Sequence, residues 1–243
     1  MISMTKYKSY SILKNNAKIK LDGFFGLAIT TGILLQCISY IATTLVNTFV
    51  PGYDTTSTIL SLLLSGVASV FVGALNTGLA YFYLSLSCGK PCNSSVLFYG
   101  YKTQPEKSVK VSLVHALVNF ICLTPSSYLL LVLIQNKTME NLIIWLIAFG
   151  IGYAVYIPIS LLLSQTWYLL VDFPNYSAKD VLLTSCKLMK KHFWRLLFLK
   201  ISFLPIMLLG ILSFGLGLLW IVPYKEMTYA SFYLDMMNPG QEN

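Results

Sequence analysis

Hydrophobic positions in this chain fall in long unbroken runs, not in the alternating or 3.6-residue stripes of a water-soluble fold. Five stretches, at 23–50, 55–88, 111–134, 141–171 and 201–224, hold no Lys or Arg, and only Lys137 lies between the third and fourth. A bilayer core needs about 20 apolar residues per helix. The pattern therefore predicts an all-α polytopic membrane protein. Six transmembrane helices in three hairpins are expected, with spans at about 23–50, 57–88, 109–134, 142–171, 194–214 and 217–237. The first span stops at Pro51-Gly52, both turn formers. The last apolar region is too long for one helix, and Gly215-Leu216-Gly217 supplies the turn that divides it. Residues 23–243 thus read as one membrane domain preceded by a basic segment, 1–22.

The polar positions between the runs have their own order. Tyr10, Leu13, Ala17 and Leu21 share one helical face while Lys14 and Lys18 occupy another, which predicts an amphipathic helix lying in the interface. A short apolar patch, Val96 to Tyr99 ended by Gly100, suggests a second interfacial helix at about 94–100. Over 177–191, Val181, Leu182, Ser185, Leu188 and Met189 face away from Asp180, Thr184, Lys187 and Lys191, and Ser177 with Asp180 fits a capping box. These segments begin about 84 residues apart, so the chain reads as three copies of interfacial helix plus hairpin. Any six-span protein with basic loops has a similar outline, and residue identity between the copies is too low to show duplication.

Composition narrows the class. With 56% hydrophobic and 11% charged residues among 243, little is left for a water-soluble domain, since ordinary globular chains are roughly 25% charged. A net charge of +8 would suit nucleic acid if it were gathered on one water-facing surface. Here the basic residues flank apolar runs, so anionic membrane lipids are the expected partners and nucleic acid is not. Lys14, Lys18, Lys187, Lys190, Lys191 and Arg195 are the expected headgroup contacts. All but two of the 17 basic residues lie in the N-terminal segment or in the loops after the second and fourth spans. The positive-inside rule places those segments, and both termini, in the cytoplasm. The first apolar run, at about 27 residues, is too long for a signal-peptide core and shows no small-residue cleavage site.

Catalytic machinery is not expected. The chain has no phosphate loop, no His-Glu-x-x-His and no Gly-x-Ser-x-Gly. Cys88 and Cys92 have no second cysteine pair at ligand spacing and the chain has only 2 histidines, so neither a metal nor a cofactor is predicted. Polar residues inside the runs are the better candidates, because a buried charge in a bilayer is costly. His115 and Asn119 lie one turn apart, and with Gln36, Asn76 and Gln165 they either line a polar path or hydrogen-bond the helices together. Asp172, Lys225 and Glu226 form a second candidate cluster. Adjacent helical residues point about 100° apart, so Lys225 and Glu226 need not pair; the alternative is that Pro223 breaks the helix near the interface and both side chains snorkel to the headgroups. Ser65, Ser69, Gly73 and Thr77 recur every fourth residue, a packing face that serves either within one chain or between two copies.

Asp172-Phe173-Pro174, Ser185, Leu188-Met189-Lys190 and Ser202-Phe203 are followed by Gly215-Leu216-Gly217-Leu218-Leu219-Trp220, Pro223-Tyr224, Ala230 and Phe232-Tyr233. In order and spacing this set resembles the DUF975 family of bacterial integral membrane proteins, over roughly 165–235, with weaker agreement at 13–25 and 97–101. One departure is Leu204-Pro205 after Phe203, where the family pattern has an aromatic residue; a proline there should bend the fifth helix. The resemblance implies a polytopic protein of the bacterial plasma membrane and carries no activity. Two functions are expected as alternatives. One is a non-catalytic accessory protein that binds a membrane partner, a lipid or a membrane-active peptide. The other is a translocator for a small solute or lipid, suggested by the repeated hairpins and by Pro158, Pro205 and Pro223 at membrane depth. A cavity reaching His115 and Asn119 would favour the second, a dry packed core the first.

Overall fold

The computed structural model describes residues 7–50, 55–90 and 92–239, so Lys6, Pro51, Gly52 and Asp54 lie outside the described residues. All regular structure among the described residues is helical. Helix α1 (Tyr10–Leu21) leads into α2 (Phe25–Phe49) and α3 (Thr55–Ser87). A 3₁₀ turn (Ser94–Phe98) and α4 (Tyr99–Thr103) precede α5 (Pro105–Gln135), α6 (Met139–Leu162) and α7 (Thr166–Asp172). The chain ends with α8 (Ala178–Ile201), α9 (Leu204–Leu212) and α10 (Leu218–Met237). Among the described residues, five segments are long and apolar enough to cross a membrane: Phe25–Phe49, Ile59–Ser87, Pro105–Gln135, Met139–Asp172 and Ala178–Leu212. The expected sixth, α10, is not one of them, because its 20 residues include Lys225, Glu226 and Asp235.

Helix ends differ from expectation where proline and capping compete. Ser177 and Asp180 do form the capping box: the Asp180 N–H donates to Ser177 Oγ at 3.2 Å and the Ser177 N–H donates to Asp180 Oδ2 at 3.2 Å. From there α8 runs through the expected interfacial segment without interruption to Ile201. The expected bend at Pro205 is a full break at 202–203, and Pro205 sits in the first turn of α9, where its missing N–H is not needed. Pro158 and Pro223, expected as helix breakers, lie inside α6 and α10, which continue through them. The fourth run is broken instead at 163–165, between α6 and α7. Replacing Ser177 by alanine is expected to cost about 1 kcal/mol, measured as a lower denaturant midpoint in detergent micelles with unchanged helix content.

The packed core lies at the lysine-rich end of the bundle. At 1.5 Å per residue α3 is about 50 Å long, which exceeds a hydrocarbon core of about 30 Å. Its last turns are therefore covered by protein: Phe82, Tyr83 and Leu86 are buried with Leu169, Leu170 and Tyr233. Toward the other end the two long hairpins expose Tyr40, Phe49, Ile59, Leu63, Ile134 and Met139. Exposed apolar surface on this scale is what acyl chains cover, with small residues closing the helix contacts. Thr77 Oγ1 donates to Ser108 Oγ at 3.2 Å, Ser112 Oγ donates to the Val70 carbonyl at 2.6 Å, and a Cβ on Gly73 would lie 2.1 Å from Ser112 Oγ. Gly73 and Thr77 thus join α3 to α5 within one chain, whereas the Ser65 and Ser69 hydroxyls bond back to Leu62 and Gly66 of their own helix.

Helix α1 does not lie apart from the bundle. The Lys8 N–H meets the Asp235 carboxylate at one end, and Lys18 Nζ sits 5.7 Å from the Tyr224 ring at the other, so α1 runs antiparallel along α10. Its buried residues Leu13, Ala17 and Leu21 pack into the protein core and not onto lipid.

Candidate functional site

The break between α6 and α7, the C-terminal third of α3 and the base of the α9–α10 hairpin border an open cavity of about 460 Å³. Its walls are Leu79, Leu196, Leu204 and Met207 on the apolar side, with Lys200, Lys225, Glu226, Tyr229, Asn76 and Gln165 supplying polar groups. Lys225 Nζ pairs with Glu226 Oε1 at 3.2 Å, both side chains about three-quarters buried or more. Lys200 Nζ lies 5.8 Å and Lys225 Nζ 5.9 Å from the centre of the Tyr229 ring, so one aromatic ring is within reach of both ammonium groups. Gln165 is 1% exposed, its Nε2 donates to Ser164 Oγ at 2.9 Å, and its Oε1 has no hydrogen-bond partner among the described residues. An unpaired buried acceptor costs roughly 1–3 kcal/mol. The cavity thus offers two cations, one carboxylate and a free amide acceptor beside an apolar wall.

A second cavity of about 250 Å³ adjoins the first and shares Asn76, Ser160 and Trp167 with it. His115 and Asn119 line this second space, and His115 Nε2 lies 2.8 Å from Thr166 Oγ1 with its ring stacked on Trp167. Of the expected polar path, His115, Asn119 and Asn76 converge here, while Gln165 lies in the first cavity. Gln36 is exposed on α2 and lines neither.

The cluster expected from Asp172, Lys225 and Glu226 is divided. Asp172 Oδ2 accepts from the Tyr233 hydroxyl at 2.8 Å, two helical turns beyond Lys225. Lys225 and Glu226, adjacent in sequence and not required to pair, do pair. Burial of both beside Tyr229 removes competing water, which lets the long side chains close the angle between them. Lys200 is the residue that completes this site, and its partners across the turn are not apparent from its own neighbours in sequence.

A third polar constellation was not expected. Arg195 Nη2 donates to an Asp235 carboxylate oxygen and, at 2.8 Å, to the Lys8 carbonyl, while the Lys8 N–H donates to Asp235 at 3.2 Å. The rings of Tyr7 and Phe232 lie 5.0 and 4.9 Å from the guanidinium. Side-chain exposure is 16% for Arg195 and 1% for Asp235, so Arg195 is an internal ion-pair residue and not a headgroup contact. Lys14 is also turned inward: its Nζ donates to the Ser202 carbonyl at 3.3 Å, and partial burial lowers its pKa. Lys187, Lys190 and Lys191 remain exposed. The five cysteines are free, and burial raises the pKa of Cys92, which keeps it a thiol.

Apolar hairpins meeting a packed, charged end define a polytopic all-helical membrane protein with a polar cavity where the two parts join. The family model described as "Protein of unknown function (DUF975)" matches residues 3–239, and the chain belongs to that family. The resemblance carried by 165–235 therefore extends to nearly the whole chain. No curated protein and no solved structure matches it.

Proposed function

We propose that this is a non-catalytic accessory protein of the bacterial plasma membrane that binds an anionic phospholipid. The lipid phosphate sits between Lys200 and Lys225, headgroup hydroxyls donate to Gln165 Oε1 and Glu226, and the acyl chains leave along Leu204 and Met207. The observation that carries this reading is the union of two partly buried ammonium groups and one unpaired amide acceptor in a cavity that also has an apolar wall. Phosphate recognition by paired cations and hydroxyl donation to a free acceptor are then met by one amphiphile. In this reading the lysine-rich end faces the cytoplasm, with both termini there. Lys225 joins that end as well, which leaves Lys137 as the one basic residue on the far side.

Native mass spectrometry of protein extracted into mixed phosphatidylglycerol and phosphatidylcholine nanodiscs tests this. Retained phosphatidylglycerol should exceed phosphatidylcholine by about tenfold, and Lys200→Gln with Lys225→Gln should abolish the preference, since each lost charged hydrogen bond is worth roughly 1.5–3 kcal/mol. Equal retention of the two lipids by the parent protein, or an unchanged preference in the double variant, refutes the assignment. A co-purifying protein or peptide displaced by those same substitutions would identify a different occupant.

A second reading, translocation, is favoured by one observation: the second cavity continues the first toward His115 and Asn119. Proteoliposomes loaded with a fluorescent lipid report it directly. Transfer between leaflets that depends on Asn119 would establish a carrier, and transfer no faster than in protein-free vesicles would retire that reading.

A further inference from the structure

We infer that the α9–α10 hairpin is re-entrant: it enters only the leaflet at the lysine-rich end, with its turn among acyl chains near the bilayer midplane, and does not reach the opposite surface. Depth along the bundle is measured from the Asn76 edge of the first cavity, whose lining also includes Ser164 beyond α6 and Lys200 and Lys225 of the third hairpin. From that level α3 extends about 31 Å to Thr55, and the α6 arm about 37 Å to Met139, at 1.5 Å per residue. Both match a hydrocarbon core of about 30 Å. From the same level α10 extends only about 10 Å back to Leu218, and α9 in full is about 13 Å long.

A second marker agrees. Lys18, Asp22 and Phe25 line one groove with Trp220 and Tyr224. Phe25 begins a helix that continues about 36 Å to Phe49, whereas Trp220 is within the first turn of α10. The third hairpin therefore stops roughly half a bilayer short of the other two.

Its chemistry suits that depth. In sequence, Asp54 falls between α2 and α3, and Lys137 and Glu140 lie at the junction of α5 and α6, whereas nothing between Ile201 and Tyr224 is charged. Phe214, at the tip, is 99% exposed, and Leu212 is 76% exposed. A turn surrounded by hydrocarbon must satisfy its own backbone, and this one largely does. The Ser213 N–H donates to the Leu209 carbonyl, the Leu216 N–H to the Ser213 carbonyl and the Leu218 N–H to the Gly215 carbonyl. Ser213 Oγ accepts from the Gly217 N–H at 2.9 Å and donates to the Gly210 carbonyl at 2.7 Å. Close approach of the arms needs Gly210, where a Cβ would meet Ile221 Cδ1 at 2.7 Å.

The consequence is four crossings and one re-entrant hairpin, with Lys200, Lys225 and Glu226 at headgroup level and not buried at mid-membrane. This inference is independent of which ligand fills the cavity. Single variants Lys137→Cys and Phe214→Cys are labelled with a membrane-impermeant maleimide in intact cells and in inverted vesicles, with the unsubstituted protein as the background for the native cysteines. Lys137→Cys should label on one face only, and Phe214→Cys on neither face until detergent is added. Labelling of Phe214→Cys from the Lys137 side means a full span, and labelling from the other side means a surface loop; either overturns the inference. Phe214→Lys supplies a second readout: a lysine at the midplane should reduce the yield of inserted, monodisperse protein several-fold, and full yield would likewise overturn it.

Discussion

Asp235→Ala is expected to destabilise the protein by about 3–5 kcal/mol, the cost of leaving a buried guanidinium without its counter-charge. Asp235 is 1% exposed at its side chain and holds two groups at once, Arg195 of α8 and the Lys8 N–H, and through Lys8 the segment leading into α1. Loss of the carboxylate should lower the unfolding midpoint in detergent and also make the chain before α1 cleavable by trypsin under native conditions. Asp235→Asn keeps an acceptor and should lose less. The double variant Asp235→Leu with Arg195→Met removes both charges and should recover most of the loss, because an apolar pair of similar size avoids the desolvation cost of the ions. A single variant as stable as the parent, or a double variant no better than the single, would show that the ion pair does not hold these segments together.

Gly78→Ala is the second large effect. A Cβ at Gly78 would lie 1.9 Å from the Leu97 carbonyl oxygen and 2.3 Å from its carbon, so it collides with the backbone of the 3₁₀ turn, which cannot rotate away as a side chain could. Overpacking of this kind costs typically 1–3 kcal/mol, and a backbone obstacle puts Gly78→Ala at the upper end, about 3 kcal/mol. Gly26→Ala is the matched control. It is also helical, and nothing lies within 4 Å of its added Cβ, so alanine should stabilise it by up to about 1 kcal/mol through helix propensity. Opposite signs for the two substitutions in one denaturation series are the expected result; equal effects would mean that α3 and the 3₁₀ turn are not in close contact.

How far the site could be read from the chain depends on how each part is encoded. Lys225, a member of the polar cluster expected from the sequence, does line the cavity. Its partners were harder to see. Lys200 sits between Leu199 and Ile201 in sequence, and only the fold of the hairpin about Gly215 brings it to Tyr229 and Lys225. Asp172 looked equally suited to Lys225, yet it sits two turns higher and bonds Tyr233. Asp235 is a lone acid near the end of an apolar segment. The available signal was that acid among Phe232, Leu234 and Met236, because a charge so placed needs a partner.

By itself the sequence determined the membrane class, the two long hairpins, the lysine-rich end and the capping box at Ser177. These are properties of neighbouring residues: transfer of a helix into lipid depends on an uninterrupted apolar run, and a cap needs only a Ser and an Asp three residues apart. Tertiary structure alone decided the short reach of the third hairpin from the cavity, the orientation of α1 along α10, the division of the polar cluster and the Arg195–Asp235 pair. Each of these depends on segments far apart in the chain being held at one level, as when the Lys8 N–H reaches Asp235. No periodicity encodes such a meeting. It follows from which packed arrangement buries the apolar faces while leaving the fewest charges and backbone groups unpaired.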